Sequence, residues 1–143
     1  MIRYFLVFIM LWLAACTKEM GPSSRPVLPE PRTEYEKQII ATKSQFQFQH
    51  WPAHARPAVI AILEQLLLDL ITAGESASES QKIACFSRAV SALNEINRKD
   101  PTVIETGEAE QLVDLGNQIA KAAGLDPRKY GDGEGPLSAG RDW

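Results

Sequence analysis

Cysteine is nearly absent from this chain: only Cys16 and Cys85 occur among 143 residues. A framework of disulfides is therefore excluded as the source of its stability. Concentrated basic charge is also missing. The chain carries 15 basic and 18 acidic residues, a net charge of −3, with no dense basic patch. Nucleic-acid binding has no electrostatic support in such a chain. The apolar run from Tyr4 to Leu13 is too short to cross a bilayer as a helix, which takes roughly 20 apolar residues. No stretch alternates as a strand does, no internal repeat is visible, and no catalytic motif appears.

What the sequence does carry begins at its N-terminus. Arg3 precedes the apolar run, and Leu13-Ala14-Ala15-Cys16 closes it. A basic start, a short apolar core and small residues before a cut make a secretory signal. The stretch resembles a bacterial lipoprotein signal. That resemblance implies removal of residues 1–15 and transfer of a diacylglyceryl group to the Cys16 thiol. The plainer alternative is an ordinary signal peptide followed by a chance cysteine. Cleavage leaves residues 16–143, enough for one domain with a real core. Loss of Arg3 leaves 14 basic against 18 acidic residues. The membrane contact therefore comes from lipid, each buried methylene contributing roughly 0.8 kcal/mol. Thr17, not Asp, follows the lipidated cysteine. In a Gram-negative host the resemblance then implies an outer-membrane protein whose body faces the periplasm.

Residues 16–32 form the lipidated cysteine and a proline-rich tether. Pro22, Pro26, Pro29 and Pro31 exclude a packed element, so a disordered, polyproline-like spacer is expected. Its reach is roughly 50 Å at about 3.1 Å per residue.

The body, residues 33–126, reads as all-α. Thr33-Glu-Tyr-Glu36 is a capping-box pattern and predicts a first helix to about Phe46, with Tyr35, Ile39, Ile40 and the Lys43 stem inward. Pro57 fits the first turn of a second helix, Ile60, Leu63, Leu67 and Leu70 keep helical spacing, and Gly74 fits its C-cap. Ser78-Glu-Ser-Gln81 is a second capping pattern. Ile83, Phe86, Val90, Leu93 and Ile96 mark a third helix, with Arg98 and Lys99 suited to the dipole of its last turn. Asp100-Pro101 breaks the chain, and Thr102-Val-Ile-Glu105 restarts it. Leu112, Leu115 and Ile119 form the inner stripe of a fourth helix ending near Gly124. An antiparallel four-helix bundle is the simplest way to bury these stripes. The expected core is Ile60, Leu63, Leu67, Leu70, Phe86, Val90, Leu93, Leu112, Leu115 and Ile119. Residues 127–143, with Gly131, Gly133, Gly135 and Gly140, read as an irregular tail whose one adhesive end is Arg141-Asp142-Trp143. Trp143 is expected to fold back into a groove, because a free C-terminal tryptophan is an exposed apolar liability.

Each candidate for chemistry has a plain competitor. His50 and His54 are four apart, but Pro52 between them forbids the regular helix that would align them for a metal; no metal site is expected. Cys85 lies among apolar neighbours and reads as a small buried hydrophobe, not an activated thiol. Glu105, Glu108, Glu110 and Asp114 make an acidic start to the fourth helix. They read as a solvated, dipole-complementing face or as a patch that docks a basic partner. Phe46, Phe48, Trp51 and Trp143 either plug a helix junction or, if Trp51 or Trp143 is exposed, anchor a partner. Trp51, Glu105, Glu108, Glu110, Asp114 and Trp143 are therefore the candidate partner-binding residues, and Cys16 the lipid-attachment residue.

From about Gln45 onward the chain also resembles an uncharacterised family of small helical bacterial proteins. The likeness rests on His50-Trp51-Pro52, on Ile104-Glu105-Thr106, on Ile119-Ala120-Lys121-Ala122-Ala123-Gly124-Leu125-Asp126, and on the closing Arg141-Asp142-Trp143. It implies an all-α fold and supplies no activity.

The sequence thus leads to a non-enzymatic, lipid-anchored periplasmic interaction module. It meets the membrane through its lipid and one protein partner through its body. No nucleic acid, small-molecule substrate or cofactor beyond the covalent lipid is expected. The sharpest form of this expectation is an immunity protein against an envelope-targeted toxin. The alternative is an assembly accessory of an envelope complex.

Overall fold

The computed structural model describes residues 25–143. The expected signal, residues 1–15, and Cys16 lie outside them. Four helices make up the body: α1 (Glu34–Ala41), α2 (Arg56–Ala73), α3 (Glu79–Lys99) and α4 (Thr106–Ala122). No strand occurs among the described residues.

Both capping boxes form as the sequence predicts. The Thr33 hydroxyl accepts from the Glu36 amide at 3.1 Å, and the Ser78 hydroxyl accepts from the Gln81 amide at 3.2 Å. Each reciprocal bond is present too, so orphan donors at both helix starts are satisfied. Helix α1 stops at Ala41 rather than near Phe46, and Thr42–Gln45 continues as a 3₁₀ turn. The Thr42 hydroxyl donates to the Ile39 carbonyl at 2.6 Å, and the Ser44 hydroxyl to Ala41 at 2.9 Å. Such back-bonding competes with the regular α ladder.

The expected restart at Thr102 is displaced by four residues. Asp100 takes both the Thr102 amide (3.1 Å) and the Thr102 hydroxyl (2.6 Å) on one carboxylate oxygen. That closed turn leaves the hydroxyl unable to cap a helix. Val103 and Ile104 are buried instead as an apolar plug, and α4 begins at Thr106 with Glu105 at its N-cap.

A single core cluster joins all four helices, and α2 lies most extensively on α3. Nine of the ten expected core residues are buried. The exception is Ile60, which is only half-buried while Val59 beside it is sealed. Helix α2 is apolar around most of its circumference, so spacing alone could not choose between adjacent stripes. The buried set Val59, Leu63, Leu66, Leu67, Leu70 also fits helical spacing.

Two charged side chains sit in this core. Lys82 donates to the carbonyls of Glu75 (2.9 Å) and Ala123 (2.8 Å), joining the residues just beyond α2 and α4. Its ammonium also lies 5.1 Å from the centroid of the Tyr35 ring. The Tyr35 hydroxyl donates to the Leu70 carbonyl, and burial, followed by the nearby Cys85 and Glu75, pushes its pKa up to about 12. Glu64, on α2, is the second buried charge.

Both ends of the described chain are more ordered than expected. At the N-terminal end, Arg25 pairs with Glu64 and Leu28 packs on the core. The part of the tether from residue 25 to 32 is therefore docked, not a free spacer. At the C-terminal end, Arg141-Asp142-Trp143 is not the sole adhesive point. Leu137 is fully buried, and Tyr130 and Lys129 both reach Glu79. Leu137 fits because position 116 is glycine: a Cβ there would stand 2.6 Å from the Leu137 Cγ. Gly135 plays the same part against Asn117, whose carboxamide donates to the Glu134 carbonyl at 2.8 Å.

Candidate functional site

An open groove of about 1140 Å³ runs along the first turns of α4 and ends against the C-terminal tail. Five of the six candidate partner-binding residues line it: Glu105, Glu108, Glu110, Asp114 and Trp143. The local cause is helical spacing. Glu110 and Asp114 are four apart on α4 and share a face, while Glu105 and Glu108 occupy its N-terminal turn. Acids there complement the positive end of the helix dipole. Ile104, Ala109 and Val113 supply the apolar part of the lining.

The charge balance of the groove is one-sided. The ion pairs among the described residues leave Glu105, Glu108, Glu110 and Asp114 without a cation. Glu134, also on the wall, is paired with Arg141 at 3.1 Å. Among the described residues Arg141 is the single basic one lining the groove, and its guanidinium lies 5.2 Å from the Trp143 ring centroid.

Trp143 folds back, as the sequence predicts. It is partly buried against the core. The Asn94 carboxamide brackets the tail end, donating to the Gly140 carbonyl at 3.0 Å and accepting from the Asp142 amide at 3.1 Å. Asn97 adds a 3.3 Å bond to the Asp142 carbonyl. The indole Nε1 is enclosed without a hydrogen-bond partner among the described residues. Deleting residues 141–143 is expected to lower the melting temperature by roughly 4 °C, the shift produced by about 1 kcal/mol in a domain of this size. Unchanged melting by circular dichroism would show that the end merely rests on the surface.

Trp51 does not join this group. It is 3% exposed, packs edge-on against Phe48 at 5.4 Å, and donates from Nε1 to Gln111 at 2.7 Å. The stretch between α1 and α2 is closed by this aromatic plug, so exposure, the condition for Trp51 as a partner anchor, is not met. His50 is exposed, and His54 pairs instead with Asp100 at 3.2 Å. Bonds from Thr102, then His54, hold the Asp100 carboxyl below its ordinary range. Among the described residues no three His, Cys, Asp or Glu side chains gather as metal ligands. Cys85 is 2% exposed, and burial pushes its thiol up despite the neighbouring Arg88. That is the reverse of nucleophile activation.

Comparison with family models, curated proteins and solved structures gives no match.

The sequence reading missed the two buried charges. A signal for each was present. Glu64 interrupts the apolar run Ala61-Ile62-Leu63-Glu64-Gln65-Leu66, and Lys82 is four residues before Phe86 on the inner stripe of α3. Burial pushes the Glu64 carboxyl up, but hydrogen bonds and charge from Arg25 and Lys43 outweigh it and hold the group below the usual range.

Proposed function

We propose that this protein is a lipid-anchored, periplasm-facing interaction module, and that the α4 groove docks one basic protein partner. Anchorage is through Cys16, and the module carries out no reaction of its own. The observation behind the docking reading is the set of four carboxylates, none paired with a cation among the described residues, gathered along one groove beside a partly buried tryptophan. Such a surface raises the encounter rate and selectivity for a basic partner. Trp143 offers the kind of aromatic contact on which interfaces depend. In this reading the four helices form an antiparallel bundle, supported by the short connection between α2 and α3. An immunity protein facing a secreted basic toxin is the sharpest form of the proposal.

Crosslinked pull-downs from envelopes of the native host test it, using wild type, Cys16→Ser and a Glu105→Gln, Glu108→Gln, Glu110→Gln, Asp114→Gln quadruple variant. One basic protein in stoichiometric amount is expected with wild type. The quadruple variant should bind it at least roughly tenfold more weakly, a loss of about 1.4 kcal/mol. Its affinity should also depend less on salt. Equal binding by the quadruple variant overturns the groove as the docking surface. Recovery of a multi-protein envelope complex, lost with Cys16→Ser, replaces the immunity reading with the assembly-accessory one.

A further inference from the structure

The segment ahead of α1 is fastened to the body at a site with an uneven design. The Glu64 side chain is 2% exposed. Both its oxygens are engaged by Arg25, from Nε at 2.8 Å and Nη2 at 2.8 Å, the bidentate geometry that makes such pairs strong. Lys43 meets the same carboxylate at 2.9 Å. One cation would neutralise a buried carboxylate; this one has two. Lys43 belongs to the 3₁₀ turn that continues α1, so it stays with the body. Arg25 belongs to the segment in front of it, and its side chain is 55% exposed. Loss of Arg25 therefore leaves Glu64 paired with Lys43, and no charge is stranded in the core. Leu28 adds an apolar contact, Val27 points into solvent at 86% exposure, and Pro26, Pro29 and Pro31 restrict the backbone between.

We infer that residues 25–32 form a strap latched to the body by Arg25 on Glu64, and that this latch sets how far the body stands from the membrane. The stand-off part rests on the lipid-anchor reading; the latch does not. Nine residue steps lead from Cys16 to Arg25, against 17 to Thr33. At about 3.1 Å per residue the first can span about 28 Å and the second about 53 Å. Unlatching thus nearly doubles the reach of the body while leaving its core charge balanced.

The latch is tested on the full-length Cys16→Ser chain, independently of lipidation, with spin labels at Val27→Cys and Ser91→Cys; Cys85 is buried and does not take label. Wild type is expected to give one narrow distance distribution. Arg25→Ala should broaden it at least twofold with the helical spectrum unchanged, whereas Lys43→Ala, which leaves Arg25 in place, should keep it narrow. A broad distribution in wild type, or a narrow one in Arg25→Ala, overturns the latch. The stand-off is read in vesicles on the chain that keeps Cys16, as energy transfer from a dye at Ser91→Cys to a headgroup acceptor, and should fall in Arg25→Ala. Unchanged transfer with a released strap overturns the stand-off. Chains that fail to sediment with vesicles overturn the anchor reading and leave the spin-label result standing.

Discussion

Leu137→Ala is expected to lower the stability of the folded chain by about 3 kcal/mol, within the range for truncating a sealed leucine. The side chain is fully buried and lies over Gly116 of α4. The neighbouring variant Gly116→Ala separates two effects. Helix propensity alone favours alanine by about 1 kcal/mol. The added Cβ, however, would stand 2.6 Å and 2.8 Å from the Leu137 Cγ and Cδ1. Overpacking of this kind costs about 1–3 kcal/mol, so a net loss is expected. The double variant returns part of both losses, because the new methyl occupies space that Leu137→Ala vacates. Urea unfolding of the two single variants and the double reads the coupling directly. A midpoint for Leu137→Ala within error of wild type would mean the tail contributes nothing to the fold.

Those contacts explain why the tail looked irregular from its sequence. Glycines at 131, 133, 135 and 140 remove local preference, and local preference is what a sequence displays. All four adopt positive φ, a backbone choice open to glycine at little cost. The turns they make carry Leu137 onto α4, through a contact between residues 21 apart. The same distinction separates the other readings. Thr33 and Ser78 cap helices as expected because a capping box is complete within four residues. Thr102 had the same pattern but met a nearer competitor in Asp100. Trp51 was ambiguous because its partners, Phe48 and Gln111, lie three and 60 residues away, and only the closer could have been guessed. Of the acidic residues, helical spacing was enough to place Glu110 and Asp114 together. That Trp143 would line the same groove depends on Asn94 and Asn97 of α3, far away in the chain.

Lys82→Met is expected to lower stability by about 2–3 kcal/mol although it retains most of the side-chain volume. Lys82 is 6% exposed, and no carboxylate pairs with it among the described residues. Its ammonium serves carbonyl oxygens just beyond two helix C-termini, where partial negative charge gathers and backbone acceptors lack partners. Methionine fills the space of the stem but leaves the Glu75 and Ala123 carbonyls unserved. An enclosed acceptor without a donor costs about 1–3 kcal/mol. The Ala123 acceptor carries more of this loss, because its bond to Lys82 is buried while the Glu75 bond is partly exposed. The effect should also be local: amide exchange in residues 120–125 should accelerate more than in the middle of α2. If Lys82→Met melts like wild type and exchange at the end of α4 is unchanged, the ammonium is incidental and the residue acts through its methylenes alone. A loss in melting with uniform exchange would instead assign the effect to packing beside Tyr35, whose ring the ammonium faces.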